Sequence, residues 1–227
     1  MQKKNKKIYL SYILDINTPT YGNRNRFVVE KKSSILKGDI ANDSFIKTTA
    51  HIGTHIDMPY HFYEKGQTIE NFDIEFFSFE KVLFMSINPI NIIINNDLKN
   101  ILEKIENKET FEALIVKTGI CHKRKENIFW QKNYGFDPSL ADFLREKFPN
   151  IRLFGFDSIS ISSYSNRLLG RAAHKSFLNP KQPILLLEDM NLTQLTQDST
   201  IESLIVAPLR ISKCDGLPCT VIAEVKE

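Results

Sequence analysis

HIGTHIDMPYHF, residues 51–62, gathers three of the chain's five histidines and an aspartate into one short stretch. His51, His55, Asp57 and His61 all fall on odd positions, and side chains of equal parity share one face of an extended strand. His55 and Asp57 are then direct neighbours on that face, roughly 7 Å apart, and both can converge on one ion. His51 and His61 cannot lie on the same straight strand and also reach it, because each residue adds ~3.3 Å. The chain has to bend, and Gly53 and Pro59 are the residues that allow a bulge and a turn. A helix would also put His51 and His55 on one face, as in HExxH zinc proteases. Here the glutamate is missing and Gly53, Thr54 and Pro59 interrupt, so a strand is expected. Imidazole and carboxylate are ligands for Zn, Mn or Fe. The competing reading is a polar strand whose histidines satisfy backbone groups.

The rest of the chain supplies a sheet for this stretch. Strands are expected at IYLSYIL (8–14), IKTTAHIGTHIDMP (46–59), KVLFMSI (81–87), ALIVKTG (113–119), RLFGFDS (152–158), PILLLEDM (183–190), LIVAPLRI (204–211) and CTVIAEV (219–225). Helices are expected at LKNILEKIENK (98–108), DPSLADFLREKF (137–148, Asp137 as N-cap and Pro138 first in the helix) and RAAHKSFL (171–178). TPTYGN (18–23) reads as a turn, and residues 24–38 as a hairpin or flap. Strands outnumber helices without strict alternation. An α/β fold with a mixed sheet or barrel-like core and flanking helices follows, rather than a doubly wound parallel sheet.

Composition narrows the function classes. The chain has 227 residues, 42% hydrophobic and 11% aromatic, with no repeat or linker, which points to a single domain over 1–227. Thirty basic against 27 acidic side chains leave a net charge of +3, without the basic excess of a dedicated nucleic-acid binder. The KKNKK cluster at 3–7 reads as a solvated tail. No apolar run is long enough to span a membrane and no signal peptide is visible, so a cytoplasmic location is expected. Cys121, Cys214 and Cys219 read as reduced thiols. The CDGLPC pair has no second Cys or His pair beside it, which argues against a metal or redox role.

HIGTHIDMPYHF matches HxGTHxDxPxHF, the signature of the cyclase family, which resembles bacterial kynurenine formamidase and isatin hydrolase. LSYILDINTPTYGN, VKTGI, FGFDSISIS, RAAHKSFLNPKQPILLLEDMNL and PLRISKCDGLPCTVIAEV resemble further segments of that family, in order, over nearly the whole chain. The resemblance implies a swivelling β/β/α type of fold and a divalent metal, Zn or Mn, one or two ions per chain. It implies His51, His55 and Asp57 as ligands of the first ion, with Asp57 bridging to a second held by His174 and Glu188. His61 is then the general acid or base, a role that imidazole suits near neutral pH. Glu188 follows the apolar run ILLL, and a buried carboxylate there needs a partner, either a metal or a nearby Arg or Lys. His174 has the alternative of a solvated helix residue, and Thr54 and Asp157 read as supporting residues. His122 is assigned no role.

The implied chemistry is metal-assisted hydrolysis of a small amide, lactam or related cyclic carbonyl compound, by water activated on the ion. No GxSxG elbow supports a serine nucleophile. Ile120 stands where an aromatic commonly follows Thr-Gly in the family. A metal-dependent cyclase or dehydratase, a small-molecule binding protein without turnover, and a closed structural metal site remain open beside the hydrolase. The resemblance also implies a small-molecule substrate and a homodimer or larger homo-oligomer, with the site near the subunit interface.

Overall fold

ALIVK, LFGF and LLLE are apolar at consecutive positions because their strands are covered on both faces. Ala113–Lys117, Leu153–Phe156 and Leu185–Glu188 are buried throughout and lie side by side in parallel. The computed structural model, which describes residues 5–226, places them in one nine-stranded mixed sheet. Its order runs Ser78–Phe79, Thr200–Pro208, Gly216–Lys226, His55–Asp57, Leu185–Glu188, Leu153–Phe156, Ala113–Lys117, Val82–Ser86, and Asn5–Tyr9 pairs beside Gly216–Lys226. The first and last strands of that path, Ser78–Phe79 and Val82–Ser86, are joined directly in sequence, so the sheet comes close to closing on itself. Glu112 holds the joint by accepting from the backbone N–H groups of Glu80 and Lys81. The expected barrel-like mixed sheet with flanking helices is what forms.

Helices Asn96–Leu102, Ile128–Gln131, Ser139–Lys147 and Arg167–Phe177 lie in the crossovers between the parallel strands. The core between helices and sheet is aromatic. Phe154 stacks on Phe177 at 5.1 Å, and Phe136 meets both Phe154 and Phe156. Each such ring, fully buried, contributes roughly 1.5–3 kcal/mol. No helix among the described residues is long and apolar enough to cross a membrane.

Several element boundaries differ from those expected. The opening strand is Asn5–Tyr9 rather than 8–14, because its ladder with Gly216–Lys226 ends at Tyr9. Asn5, Lys6 and Lys7 are therefore strand rather than tail, while Lys3 and Lys4 lie outside the described residues. Residues 28–47 form the hairpin Val28–Ser33 with Asp43–Lys47, apart from the main sheet. The 98–108 helix shortens to Asn96–Leu102; Asn107 takes a left-handed φ of 51° and the Lys108 Nζ donates to the Glu103 carbonyl. The 171–178 helix begins earlier, at Arg167, where the Asn166 side chain accepts from the Leu169 N–H. Of the strand expected over 46–59, only Ile46 and Lys47, at the end of Asp43–Lys47, and His55–Asp57 are paired as strand.

Candidate metal centre

The short His55–Asp57 strand is the axis of the site. It lies between Leu185–Glu188 and Gly216–Lys226, antiparallel to both. The register sets Glu188 opposite His55, and Leu186 and Gly216 opposite Asp57. Cross-strand partners share a face, so the ladder itself puts His55, Asp57 and Glu188 together. The chain turns at Gly53, whose φ is 58°, and there a Cβ would sit 2.3 Å from Leu14 Cδ2. That turn brings His51 back over the strand. Pro59 opens a short turn, Pro59–His61, that delivers His61 from the other end. The bends expected at Gly53 and Pro59 are both present. His174 reaches the same place from the Arg167–Phe177 helix, where it is buried and not solvated. Gly170 lets that helix approach, since a Cβ there would overlap the Ser162 side chain.

His55 Nε2 lies 3.5 Å from Asp57 Oδ1 and 3.3 Å from Glu188 Oε2. His174 Nε2 lies 3.5 Å from Asp57 Oδ2 and 3.8 Å from Glu188 Oε1. Both imidazoles are fixed from behind: His55 Nδ1 donates to the Gly53 carbonyl and His174 Nδ1 to the Gly170 carbonyl, each at 2.8 Å. A carbonyl only accepts, so each Nδ1 carries a proton and each ring turns its Nε2 toward carboxylate oxygens. An imidazole nitrogen can face a carboxylate oxygen only with a proton or a cation between them. Asp57 Oδ2 is buried with no hydrogen-bond partner among the described residues. Two ligand atoms about 2.1 Å from a tetrahedral ion lie about 3.4 Å apart, which is the spacing found here. The donor set, its orientation and the orphaned oxygen fit a divalent metal.

Glu188 is supported without an Arg or Lys. The Ile161 N–H donates to its Oε1 at 2.7 Å, as does Ser160 Oγ at 3.4 Å, and among the described residues its ion-pair partners are histidines. The alternative of an Arg or Lys partner is not what the structure shows. Candidate ligand atoms converge in two sets that share Asp57: His55 with Asp57 and Glu188, and His51 with Asp57 and His61. The second set differs from the expected triplet of His51, His55 and Asp57, because the turn at Gly53 swings His51 toward His61, ring centroids 4.0 Å apart.

His51 Nδ1 donates to Asp57 Oδ1 and its Nε2 to Asp215 Oδ2, both at 2.8 Å. Burial alone would depress its pKa, but Asp57 and Asp215 outweigh that and push it up to about 10. For His55 too, burial is outweighed by Glu188 and Asp57, and its pKa rises. His174 is held below the ordinary value by burial. Burial would raise Asp57, yet His51, His61 and His55 hold it well below the carboxylate range. Asp215 is also held far below, by hydrogen bonds from His51 and His61.

Asp215 was not among the sequence candidates. It sits in CDGLPC and accepts from His61 Nδ1 at 3.0 Å as well as from His51. An Asp-Gly pair reads locally as a turn, and nothing local marks it as a partner of residues far away in sequence. Behind the site, Asp189 and Arg124 form a bidentate buried pair at 2.8 and 2.6 Å, with the guanidinium 3.7 Å from the Tyr12 ring centroid. Thr54 Oγ1 donates to the Asp189 carbonyl at 2.6 Å, and Asp157 accepts from the Thr118 and Gly119 N–H groups. Both support the chain around the site, as expected. His122 is exposed and away from the pocket. A cavity of about 390 Å³ opens onto the centre; Tyr21, Phe62 and Ile159 line it. Ile120 is not on its wall but packs with Phe129 and Ile159.

A sequence profile of the family described as Putative cyclase matches residues 8–163. The kynurenine formamidase of Bacillus anthracis is 30% identical over 219 residues, covering 95% of this chain and 96% of the relative. The solved structure of a potential metal-dependent hydrolase with cyclase activity superposes with a TM-score of 0.76 at 20% identity, covering 99% of this chain and all of that one. Isatin hydrolase A from Labrenzia aggregata, bound to benzyl benzoate, superposes with a TM-score of 0.76 at 23% identity, covering 98% and 94%.

Proposed function

The chain belongs to the cyclase family, and from that premise we propose that it is a metal-dependent hydrolase cleaving a C–N bond in a small amide, lactam or related cyclic carbonyl compound. The observation that carries this reading is the buried Asp57 carboxylate, its Oδ2 without a hydrogen-bond partner among the described residues, facing the Nε2 atoms of His55 and His174, which also face Glu188. The kynurenine formamidase and isatin hydrolase relatives support the bond type.

His55, Asp57, Glu188 and His174 would hold a divalent ion, and His51, beside Asp57, would contribute where a second is bound. Zn and Mn both suit imidazole and carboxylate donors without thiolate. A bound divalent ion supplies a water that ionises near neutral pH and a Lewis acid for the carbonyl oxygen. The chain's own residues do the rest. Gly53 and Gly170 carbonyls lock the His55 and His174 tautomers, so the ligand atoms are already oriented. Asp215 accepts the His61 Nδ1–H and leaves Nε2 free to exchange a proton. His61 takes a proton from the attacking water and passes it to the leaving nitrogen as the C–O bond forms and the C–N bond breaks. Phe62, stacked on His174 at 4.6 Å, covers that imidazole with an apolar ring. The cavity, with Tyr21, Phe62 and Ile159 on its walls, accommodates a substrate of about one aromatic ring, such as an N-formyl arylamine or a fused lactam.

The test is metal content per chain and hydrolysis of N-formylkynurenine and isatin, for wild type beside Asp57→Ala and His61→Ala. The expected result is bound metal and turnover in wild type, loss of both in Asp57→Ala, and retained metal without turnover in His61→Ala. A wild type that takes up neither Zn nor Mn on reconstitution refutes the proposal. Metal lost from His61→Ala would make His61 a ligand instead of the acid or base.

A further inference from the structure

Three cations line the pocket that the proposed hydrolysis does not use. Arg24, Arg167 and Arg171 share the cavity with His51, His55, Asp57, His174 and Glu188. Arg124, Arg145 and Arg152 each hold a carboxylate, whereas Arg24, Arg167 and Arg171 have no carboxylate partner among the described residues.

The fold brings these three together by construction. Arg167, Arg171 and His174 follow one another along one face of the Arg167–Phe177 helix. From His174 outward, Arg171 stands about 4.5 Å and Arg167 about 10 Å further along the axis, at 1.5 Å per residue. The same face therefore runs from the metal centre to a cationic rim. Arg167 Cζ sits 4.3 Å from the Tyr164 ring centroid, which orients the guanidinium. Tyr164 meets Tyr21 edge-on at 5.5 Å, and this contact seats the TPTYGNR loop, with Arg24, at the same cavity. Gly22, at φ 72°, makes the turn there. The helix also starts at Arg167, so its free N–H groups add to the positive potential of the rim.

Guanidinium groups gathered without counter-charges repel one another, and their planar forks match a carboxylate. We infer that Arg24, Arg167 and Arg171 form an anion subsite that takes a carboxylate carried by the substrate on the side away from the scissile C–N bond. The inference rests on the hydrolase reading for the position of that bond. Tyr21, Phe62 and Ile159 line the same cavity and suit a ring joining the two ends. The substrate class is thus an N-acyl or lactam derivative of an aromatic carboxylic acid, not a neutral or cationic amide.

The experiment compares formanilide with 3- and 4-formamidobenzoate on the metal-loaded full chain, in wild type, Arg24→Gln, Arg167→Gln and Arg171→Gln. The readouts are the kcat/KM ratio of charged to neutral compound and calorimetric binding of the same compounds. Wild type is expected to favour at least one charged isomer, with the ratio falling about tenfold in Arg167→Gln or Arg171→Gln. Equal handling of charged and neutral compounds by wild type, or a preference unchanged in all three variants, overturns the subsite. If wild type hydrolyses none of the compounds, the hydrolase reading loses support. The subsite is then judged on binding alone: tighter binding of a charged compound that is lost in the glutamine variants sustains it, and equal binding overturns it.

Discussion

Replacing Gly216 by alanine tests the geometry of the site through a residue with no side chain of its own. Gly216 pairs with Asp57 in the ladder, and a Cβ built on it would lie 2.4 Å from His51 Cε1, 2.8 Å from Nδ1 and 2.9 Å from Nε2. Its backbone is outside the left-handed region, so alanine adds no conformational strain and the effect is steric. Ordinary carbon contacts need about 3.5 Å, so the imidazole must retreat by about 1 Å. Both 2.8 Å hydrogen bonds of His51 then approach 4 Å, beyond useful range. Overpacking costs about 1–3 kcal/mol, and the lower end applies because the His51 ring is about a quarter exposed and can swing outward. For a chain of this size that is a fall in Tm of about 2–4 °C. Metal affinity suffers more, by about 10–100-fold, because a ligand has lost its support. The assay is a chelator-competition titration beside thermal melts for Gly216→Ala, His51→Ala and the double variant. The double variant should melt no lower than His51→Ala alone, since the clash has gone. Wild-type metal affinity in Gly216→Ala, or additive stability losses in the double variant, would refute the argument.

Three further outcomes follow from the same contacts. With the pKa of His51 raised to about 10 from 6.5, its proton stabilises the metal-free protein fully below pH 6.5; that stabilisation is lost as pH rises toward 10, so melts in chelator should fall across this window. A metal binding at His51 must displace that proton, and calorimetry in buffers of different ionisation enthalpy should record proton release near pH 7. Asp215→Ala removes the acceptor that orients His61 and also supports His51, and should lower kcat by about 100-fold or more when assayed at saturating metal; unchanged turnover would mean His61 needs no such partner. Arg124→Met leaves Asp189 buried and unpaired and should destabilise the fold by about 3–5 kcal/mol in denaturant titrations, a loss that Asp189→Asn in the same chain should partly restore.

How much of this was legible in the sequence varied with the range of the interactions involved. ALIVK, LFGF and LLLE announced doubly covered strands because burial on both faces leaves no room for polar side chains. The odd-numbered positions of His55 and Asp57 fixed their shared face, and Gly53 and Pro59 marked the bends, since backbone freedom and rigidity are properties of single residues. The family resemblance of RAAHKSFLNPKQPILLLEDMNL brought in His174 and Glu188. The lengths of the elements were less legible. The strand expected over 46–59 split into the end of a hairpin strand at Ile46 and Lys47 and three residues at the ligands, because the turn at Gly53 diverts the intervening segment to carry His51.

What only the tertiary structure decided was convergence. Asp215 joins His51 across 164 residues and His61 across 154, in a segment whose local pattern reads as a turn beside two cysteines. Arg24 and Arg167 meet at one cavity because Tyr21 packs on Tyr164, a contact with no trace in either segment alone. Gly216 matters because His51 lies over it, not because of its own φ. Periodicity, caps and turns are set by a few neighbouring residues and can be read from them. The charges and voids of the site depend on strand register and helix placement, which are fixed only when distant segments bury their apolar faces against each other.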